Sequence, residues 1–167
     1  NVIAYRRGLD ARSIPFERIP GEQTRDSMLL VSKLSLILSE RDPKKKVTMM
    51  FVDSAFGGPV VNRLHQLGFS NVMEINFGSK SPDHHAANMR AFMWGKMRDW
   101  LLNGSISDSM RLETDLAGPG YHHNNQDKLV IESKDDMAKR DLASPDDGDA
   151  LALTFAQPVA PILVRPV

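Results

Sequence analysis

A chain of 167 residues suits one domain with a sizeable hydrophobic core, and its 41% hydrophobic and 25% charged residues are ordinary for a globular protein. No segment approaches the roughly 18 consecutive apolar residues of a membrane span, no basic-then-apolar signal region opens the chain, and the absence of cysteine excludes disulfides, thiolate metal sites and cysteine nucleophiles together. The 21 basic and 21 acidic residues cancel, a balance that argues mildly against a DNA partner, although a local basic patch can still neutralise phosphates.

Residues 1–7 and 12–19 are expected to form two strands joined by a turn at Gly8-Leu9-Asp10. Over 24–41, Met28, Leu29, Val31, Leu34, Ile37 and Leu38 recur at spacings of three and four. That pattern predicts an amphipathic helix with Thr24 as its N-cap, ended by Asp42-Pro43. The apolar run Val47–Asp53 predicts a central strand buried on both faces. Gly57-Gly58 then turns the chain, with Pro59 at the first position of a helix running to about Leu67, and Val72–Phe77 forms the next strand. A strand–helix–strand succession of this kind implies a parallel pair with a right-handed crossover.

A long helix is expected from about Asp83 to Leu102, with a core stripe of Met89, Phe92, Met93, Met97, Trp100 and Leu101. Residues 110–126 are expected to be irregular, with one short helix at 111–117. A strand at 128–132, a helical turn at Lys134–Arg140 and a final helix from Ser144-Pro145 to about Phe155 complete the order. The expected fold class is an α/β layered domain with a mixed sheet over residues 1–157, followed by a proline-containing tail, 158–167.

Two acidic positions carry the chemical interest. Asp53 ends the most apolar strand, where ligands gather in open α/β sheets, and free N–H groups at the following helix start can meet a phosphate. Its alternative role is a turn cap. In Ser144-Pro145-Asp146-Asp147-Gly148-Asp149, Ser144 fits an N-cap and Asp147 the third position of a capping box, so the helix dipole accounts for Asp146 and Asp147. Asp149 lies beyond the first turn of a helix apolar on nearly every side. A carboxylate there is costly unless it is paired or holds a metal. Asp146 and Asp149, three apart, share a face, and with Asp53 they offer an oxygen-only site suited to Mg²⁺ or Mn²⁺.

Val52-Asp53, then Gly57-Gly58-Pro59-Val60-Val61-Asn62-Arg63-Leu64, then Asn76-Phe77-Gly78, resembles the second acidic motif of the tailed-phage terminase large-subunit nuclease and the stretch that follows it. Asn88-Met89-Arg90-Ala91-Phe92-Met93-Trp94, and Ile131-Glu132-Ser133-Lys134 leading to Ser144-Pro145-Asp146 and Asp149-Ala150-Leu151, extend the likeness to the closing motif. The resemblance implies a ribonuclease H-like sheet and two-metal hydrolysis of double-stranded DNA. It makes Asp53 the second acid, Asp149 the third and Asp146 an auxiliary ligand. It also implies a phage portal and small terminase subunit as partners, work in the host bacterial cytoplasm, and an isolated domain that is monomeric. The family's first acid is expected just upstream of the strand that Asn1 begins. This chain is therefore expected to lack that acid, its strand and the preceding ATPase domain, and so to bind metal weakly and cut DNA poorly.

Lys134 is read either as a phosphate contact or as a solvated lysine. His122-His123 is read as a polar loop near the cleft that meets DNA. His84-His85 and His122-His123 lack the ligand spacings of zinc sites. Lys44-Lys45-Lys46 is read as a solvated loop, and Arg6, Arg7, Arg12 and Arg18 as a basic surface. No glycine-rich phosphate loop or GxSxG elbow is present. The alternatives are a related nuclease such as a resolvase, and a non-catalytic module that docks on DNA or the portal.

Overall fold

The computed structural model describes residues 1–160 except Arg25 and Lys44, and the side chains of all of these but Thr24 and Phe56. Lys44, the Thr24 side chain and the tail from Pro161 therefore lie outside the described residues. The chain divides into two units, one made of Asn1–Arg18 with Phe77–Ala156, the other built on Ile19–Asn76.

In the second unit, α1 (Ser27–Leu38) starts later than the N-cap expected at Thr24. Its N-cap is Asp26, whose carboxylate accepts the Met28 N–H at 2.8 Å, while Gly21–Thr24 forms a separate 3₁₀ turn. Asp at an N-cap satisfies a donor that the helix cannot. The strand β4 (Met50–Asp53) pairs in parallel with β5 (Val72–Ile75), Met50 opposite Val72 and Asp53 opposite Ile75, as a strand–helix–strand crossover requires. All four residues of β4 are half-buried rather than sealed on both faces.

Between those strands runs α2 (Ser54–Gln66), which begins directly after Asp53. Pro59 is therefore inside the helix and not at its first position. Gly57 makes this early start possible, because a Cβ there would lie 2.5 Å from Val52 Cγ1, so the helix can fold back against its own strand only without a side chain. The core of this unit joins Val31, Leu34 and Leu38 of α1 to Val60, Val61 and Leu64 of α2 and Val72 and Ile75 of β5.

In the first unit, β1 (Val2–Ile3) pairs antiparallel with β3 (Glu17–Arg18), and β2 (Asp10–Ala11) pairs in parallel with β6 (Ser105–Ile106). The helix α3 (Met89–Leu101) is shorter than expected. Asn88 caps it by accepting the Ala91 N–H at 2.9 Å, and 83–88 is a loop held to Leu129 by Leu129 N–H to His85 O (2.7 Å) and Ala87 N–H to Leu129 O (2.9 Å). Then come α4 (Met110–Ala117), β7 (Tyr121–His123), β8 (Leu129–Ile131), α5 (Lys134–Lys139) and α6 (Asp146–Leu153).

β7 and β8 form an antiparallel hairpin with His122 opposite Val130 and His123 opposite Leu129. These histidines therefore stand on an exposed strand and not in a loop. The interior is built from Met89, Met93, Trp94 and Met97 of α3, Leu112 of α4, Met137 of α5 and Leu151 and Ala152 of α6. Phe92, Trp100 and Leu101 of the expected stripe are only half-buried. Parallel and antiparallel ladders with six helices among the described residues make this a mixed α/β fold. No helix among those residues is long and apolar enough to cross a membrane.

Candidate functional site

The start of α6 organises the acidic groups of the first unit. Its N-cap is Pro145, which offers no side-chain hydrogen bond, so the capping box expected from Ser144 and Asp147 does not form. Ser144 instead donates its hydroxyl to Asp146 Oδ1 at 2.7 Å. The first-turn N–H groups of Asp147 and Gly148 donate to Asp115 Oδ2 of α4 at 2.7 and 3.4 Å. Burial raises the Asp115 pKa above its ordinary value, against the lowering effect of those two N–H groups.

Asp147, expected at the helix start on dipole grounds alone, is completely buried and bonded by both oxygens to the Arg18 guanidinium of β3. Arg111 Nε stands 3.8 Å from its Oδ1. A buried carboxylate is tolerable only with such partners.

Asp149, one turn in, is also buried. Its Oδ1 accepts from Arg90 Nε at 3.0 Å and from Trp94 Nε1 at 2.9 Å, both on α3. Its Oδ2 has no hydrogen-bond partner among the described residues, although the Lys134 ammonium of α5 stands 3.2 Å away as an ion pair. Charge compensation without a directed hydrogen bond leaves this oxygen unsatisfied in bonding terms. Lys134 also lies 3.9 Å from Asp146 Oδ1. Asp146, Asp149 and Lys134 thus come together, two carboxylates facing one ammonium, with Asp146 and Lys134 roughly half exposed.

Asp53 belongs to the other unit, where its Oδ1 accepts the Ala55 N–H at 3.1 Å as the N-cap of α2. His122 and His123 are exposed on β7.

Arg90 and Trp94 were legible only as members of a quoted motif, and their link to Asp149 is a finding of the structure. The available signal is an arginine inside an apolar helical stripe, since a buried cation demands an anion nearby. Arg90 also donates from Nη1 to the Glu132 carbonyl at 2.6 Å, which ties α3 to the end of β8. The Glu132 carboxylate accepts from Arg140 Nε at 2.9 Å and from the Gly120 N–H at 2.7 Å. Arg140 is the main reason that its pKa falls below the ordinary 4.5. A depressed folded-state value means that the stabilisation is complete above the unfolded value and is lost as pH falls through the folded one. Thermal melts should therefore show Glu132→Gln below wild type at pH 7, with the two converging as pH falls below the ordinary glutamate range. A constant gap across this range would assign the loss to packing instead.

Of the basic residues expected at a surface, Arg6 and Arg18 are used internally. Arg6 donates to Thr154 Oγ1 at 2.9 Å and Thr154 O at 2.8 Å and lies 4.1 Å from the Phe155 ring centroid. Desolvation lowers its pKa. A cation at the C-terminal end of α6 also suits the helix dipole.

Among the described residues, Asp83, His84 and His85 have ligand atoms within 4.8 Å of one another. Asp83 Oδ1 there accepts the His85 N–H at 2.9 Å as an Asx turn, and the His84 side chain is 84% exposed. The group stands at a solvated turn.

No protein-family model matches the chain, and no curated protein matches it in sequence. Solved structures do match its backbone. A mutant gp2c of the large terminase subunit from bacteriophage Sf6, solved with calcium, aligns at a TM-score of 0.68 and 16% identity, covering 93% of this chain and 81% of the other. A mutant nuclease domain of the large terminase subunit gp2 of bacterial virus Sf6, with manganese, gives 0.66 and 18% over 93% and 82%. The nuclease domain of the same subunit gives 0.64 and 16% over 94% and 81%. This chain therefore has the fold of a terminase nuclease domain, the ribonuclease H-like class that its sequence motifs suggest.

Proposed function

We propose that this chain is the nuclease domain of a phage DNA-packaging terminase, a divalent-metal-dependent endonuclease that cuts concatemeric double-stranded DNA. The observation that carries the reading is Asp149. It is buried, fixed through one oxygen by Arg90 and Trp94, and has its other oxygen unsatisfied beside Asp146. That oxygen is ion-paired with the Lys134 ammonium at 3.2 Å without a directed hydrogen bond, a place where a metal ion could take over the charge balance, and an all-oxygen donor set suits a hard ion such as Mg²⁺ or Mn²⁺. The shared fold with nuclease domains solved with manganese and calcium supports the same choice.

Asp149 and Asp146 would hold the ion in this unit, while Asp53, the ligand expected from the sequence, belongs to the other unit. Bound divalent metal would supply positive charge to stabilise the attacking and leaving oxygens of a phosphodiester displacement. The chain's own groups prepare that place. Arg90 and Trp94 fix the Asp149 carboxylate plane, and Lys134 balances the two acids in the absence of another cation. Displaced by an ion, the ammonium is free to meet a DNA phosphate, and His122 and His123 on the exposed β7 edge are further candidates for that contact. Portal and small-subunit partners, and work in the host cytoplasm, follow from the same reading.

Lys134→Ala should then tighten Mn²⁺ binding to the DNA-free domain by roughly tenfold, the order expected for removing one competing charge a few ångströms away in a partly solvated setting. Weaker binding in this variant would show that Lys134 supports the site instead of competing for it.

Supercoiled-plasmid nicking with Mn²⁺ tests the function. The chain is compared with its Asp149→Asn variant. Metal-dependent nicking above background, abolished by chelator and reduced in the variant, is the expected result. No cleavage, with plasmid and metal controls working, would overturn the nuclease reading in favour of a non-catalytic docking module.

A further inference from the structure

The helix that carries the proposed acid pair does not cap itself. Pro145 precedes α6 without a side-chain hydrogen bond, so its first N–H groups depend on another element. That element is α4, whose buried Asp115 takes the N–H groups of Asp147 and Gly148 on Oδ2 at 2.7 and 3.4 Å. Gly148 permits the approach. A Cβ there would lie 3.0 Å from Trp94 Cη2 and 3.2 Å from the Asp115 carbonyl oxygen.

The two residues held by Asp115 lie between Asp146 and Asp149 in the sequence. Each residue of an α-helix turns by about 100°, so a small rotation of this turn would carry Asp149 away from Arg90 and Trp94 and change the spacing of the pair. A local serine cap would satisfy the same donors without tying the turn to a neighbouring helix. We infer that Asp115 is a positioning residue for the proposed metal site, setting the rotation of α6 and thereby the geometry of Asp146 and Asp149. It would touch neither metal nor DNA. The inference rests on the acid-pair reading above, and the test separates the two.

The test is Mn²⁺ titration followed by electron paramagnetic resonance of the free ion, on wild type, Asp115→Asn, Asp115→Ser and Asp115→Ala. Melting curves for each protein fix a titration temperature at which it is folded. Asparagine keeps an acceptor oxygen at the same reach and should bind within about twofold of wild type. Serine is too short to reach both N–H groups and alanine has no acceptor, so both should bind at least tenfold more weakly, an order typical of losing a group that orients a ligand. Should alanine not fold, the serine variant makes the same comparison.

Wild-type affinity in the folded serine or alanine protein, whatever its melting temperature, would overturn the positioning role and leave Asp115 as a purely structural cap. No Mn²⁺ binding by wild type would overturn the acid-pair reading itself, and the positioning role with it. Trp94 gives a second readout, because its indole N–H donates to Asp149 Oδ1 at 2.9 Å. Its metal-free emission should shift in the alanine protein and return towards wild type in the asparagine protein.

Discussion

Arg18→Ala is expected to destabilise the domain by about 3 kcal/mol, and by more than Asp147→Ala, although the two residues form one ion pair. The asymmetry follows from where each partner would be left. Asp147 is completely buried, whereas the Arg18 side chain is 39% exposed. Without arginine, the carboxylate stays in the interior with only Arg111, 3.8 Å from Oδ1, to balance it, and uncompensated burial of charge is the expensive case. Without the carboxylate, Arg18 can turn to water, and the loss reduces to a small cavity and some helix-terminal electrostatics, about 1–2 kcal/mol. The double substitution should be no worse than Arg18→Ala alone. Urea denaturation of the three variants reads the order directly. A larger loss for Asp147→Ala than for Arg18→Ala would mean that the packing of Asp147 at the start of α6, and not its charge balance, dominates.

The same residues mark the limit of what the sequence discloses. Helix and strand types followed from periodicity. The β4–α2–β5 crossover, the apolar α3 and the buried α6 are all present, because each rests on a pattern that only one secondary structure satisfies. Boundaries failed where a polar side chain competed for the cap. Asp26 and Asn88 begin α1 and α3 later than the starts expected at Thr24 and Asp83, and Asp53 begins α2 earlier than Pro59 does. A proline fits the first turn of a helix but is also tolerated one turn later when glycines precede it, as Gly57 and Gly58 do.

Asp149 was legible because an acid on an apolar helix needs a partner. Its partners were not, since Arg90 and Trp94 lie more than 50 positions away and only the fold brings α3 to α6. Asp147 was misjudged for the complementary reason. A first-turn acid has a sufficient local explanation in the dipole, and nothing in the local sequence announces an arginine 129 positions upstream. The β7 strand was hidden by its composition, because Tyr121-His122-His123 is exposed throughout and earns its pairing from β8 alone.

Asp149→Asn should have the largest effect on activity, lowering metal-dependent cleavage by roughly a hundredfold to a thousandfold while leaving the fold intact. Asparagine keeps an oxygen where Arg90 Nε and Trp94 Nε1 donate, so α3 and α6 remain joined. It replaces the unsatisfied Oδ2 with an amide that can neither carry charge nor bind a cation and that meets Lys134 unfavourably. Alanine is the poorer probe, because it removes the acceptor as well as the charge and leaves the buried Arg90 Nε and Trp94 Nε1 donors unpaired, a loss of about 3–5 kcal/mol that can unfold the protein and imitate a catalytic defect.

Asp146→Asn supplies the contrast. Its carboxylate is about half exposed and is held by the Ser144 hydroxyl, so a water can take over its place, and a loss of about tenfold is expected from a replaceable ligand. Initial nicking rates at saturating Mn²⁺, with melting curves beside them, distinguish the roles. Equal losses at the two positions would make the acids a single electrostatic unit. A folded Asp149→Asn protein that cuts at the wild-type rate would show that its buried oxygen serves Lys134 and the helix packing alone, and would remove the central support for a metal at this site.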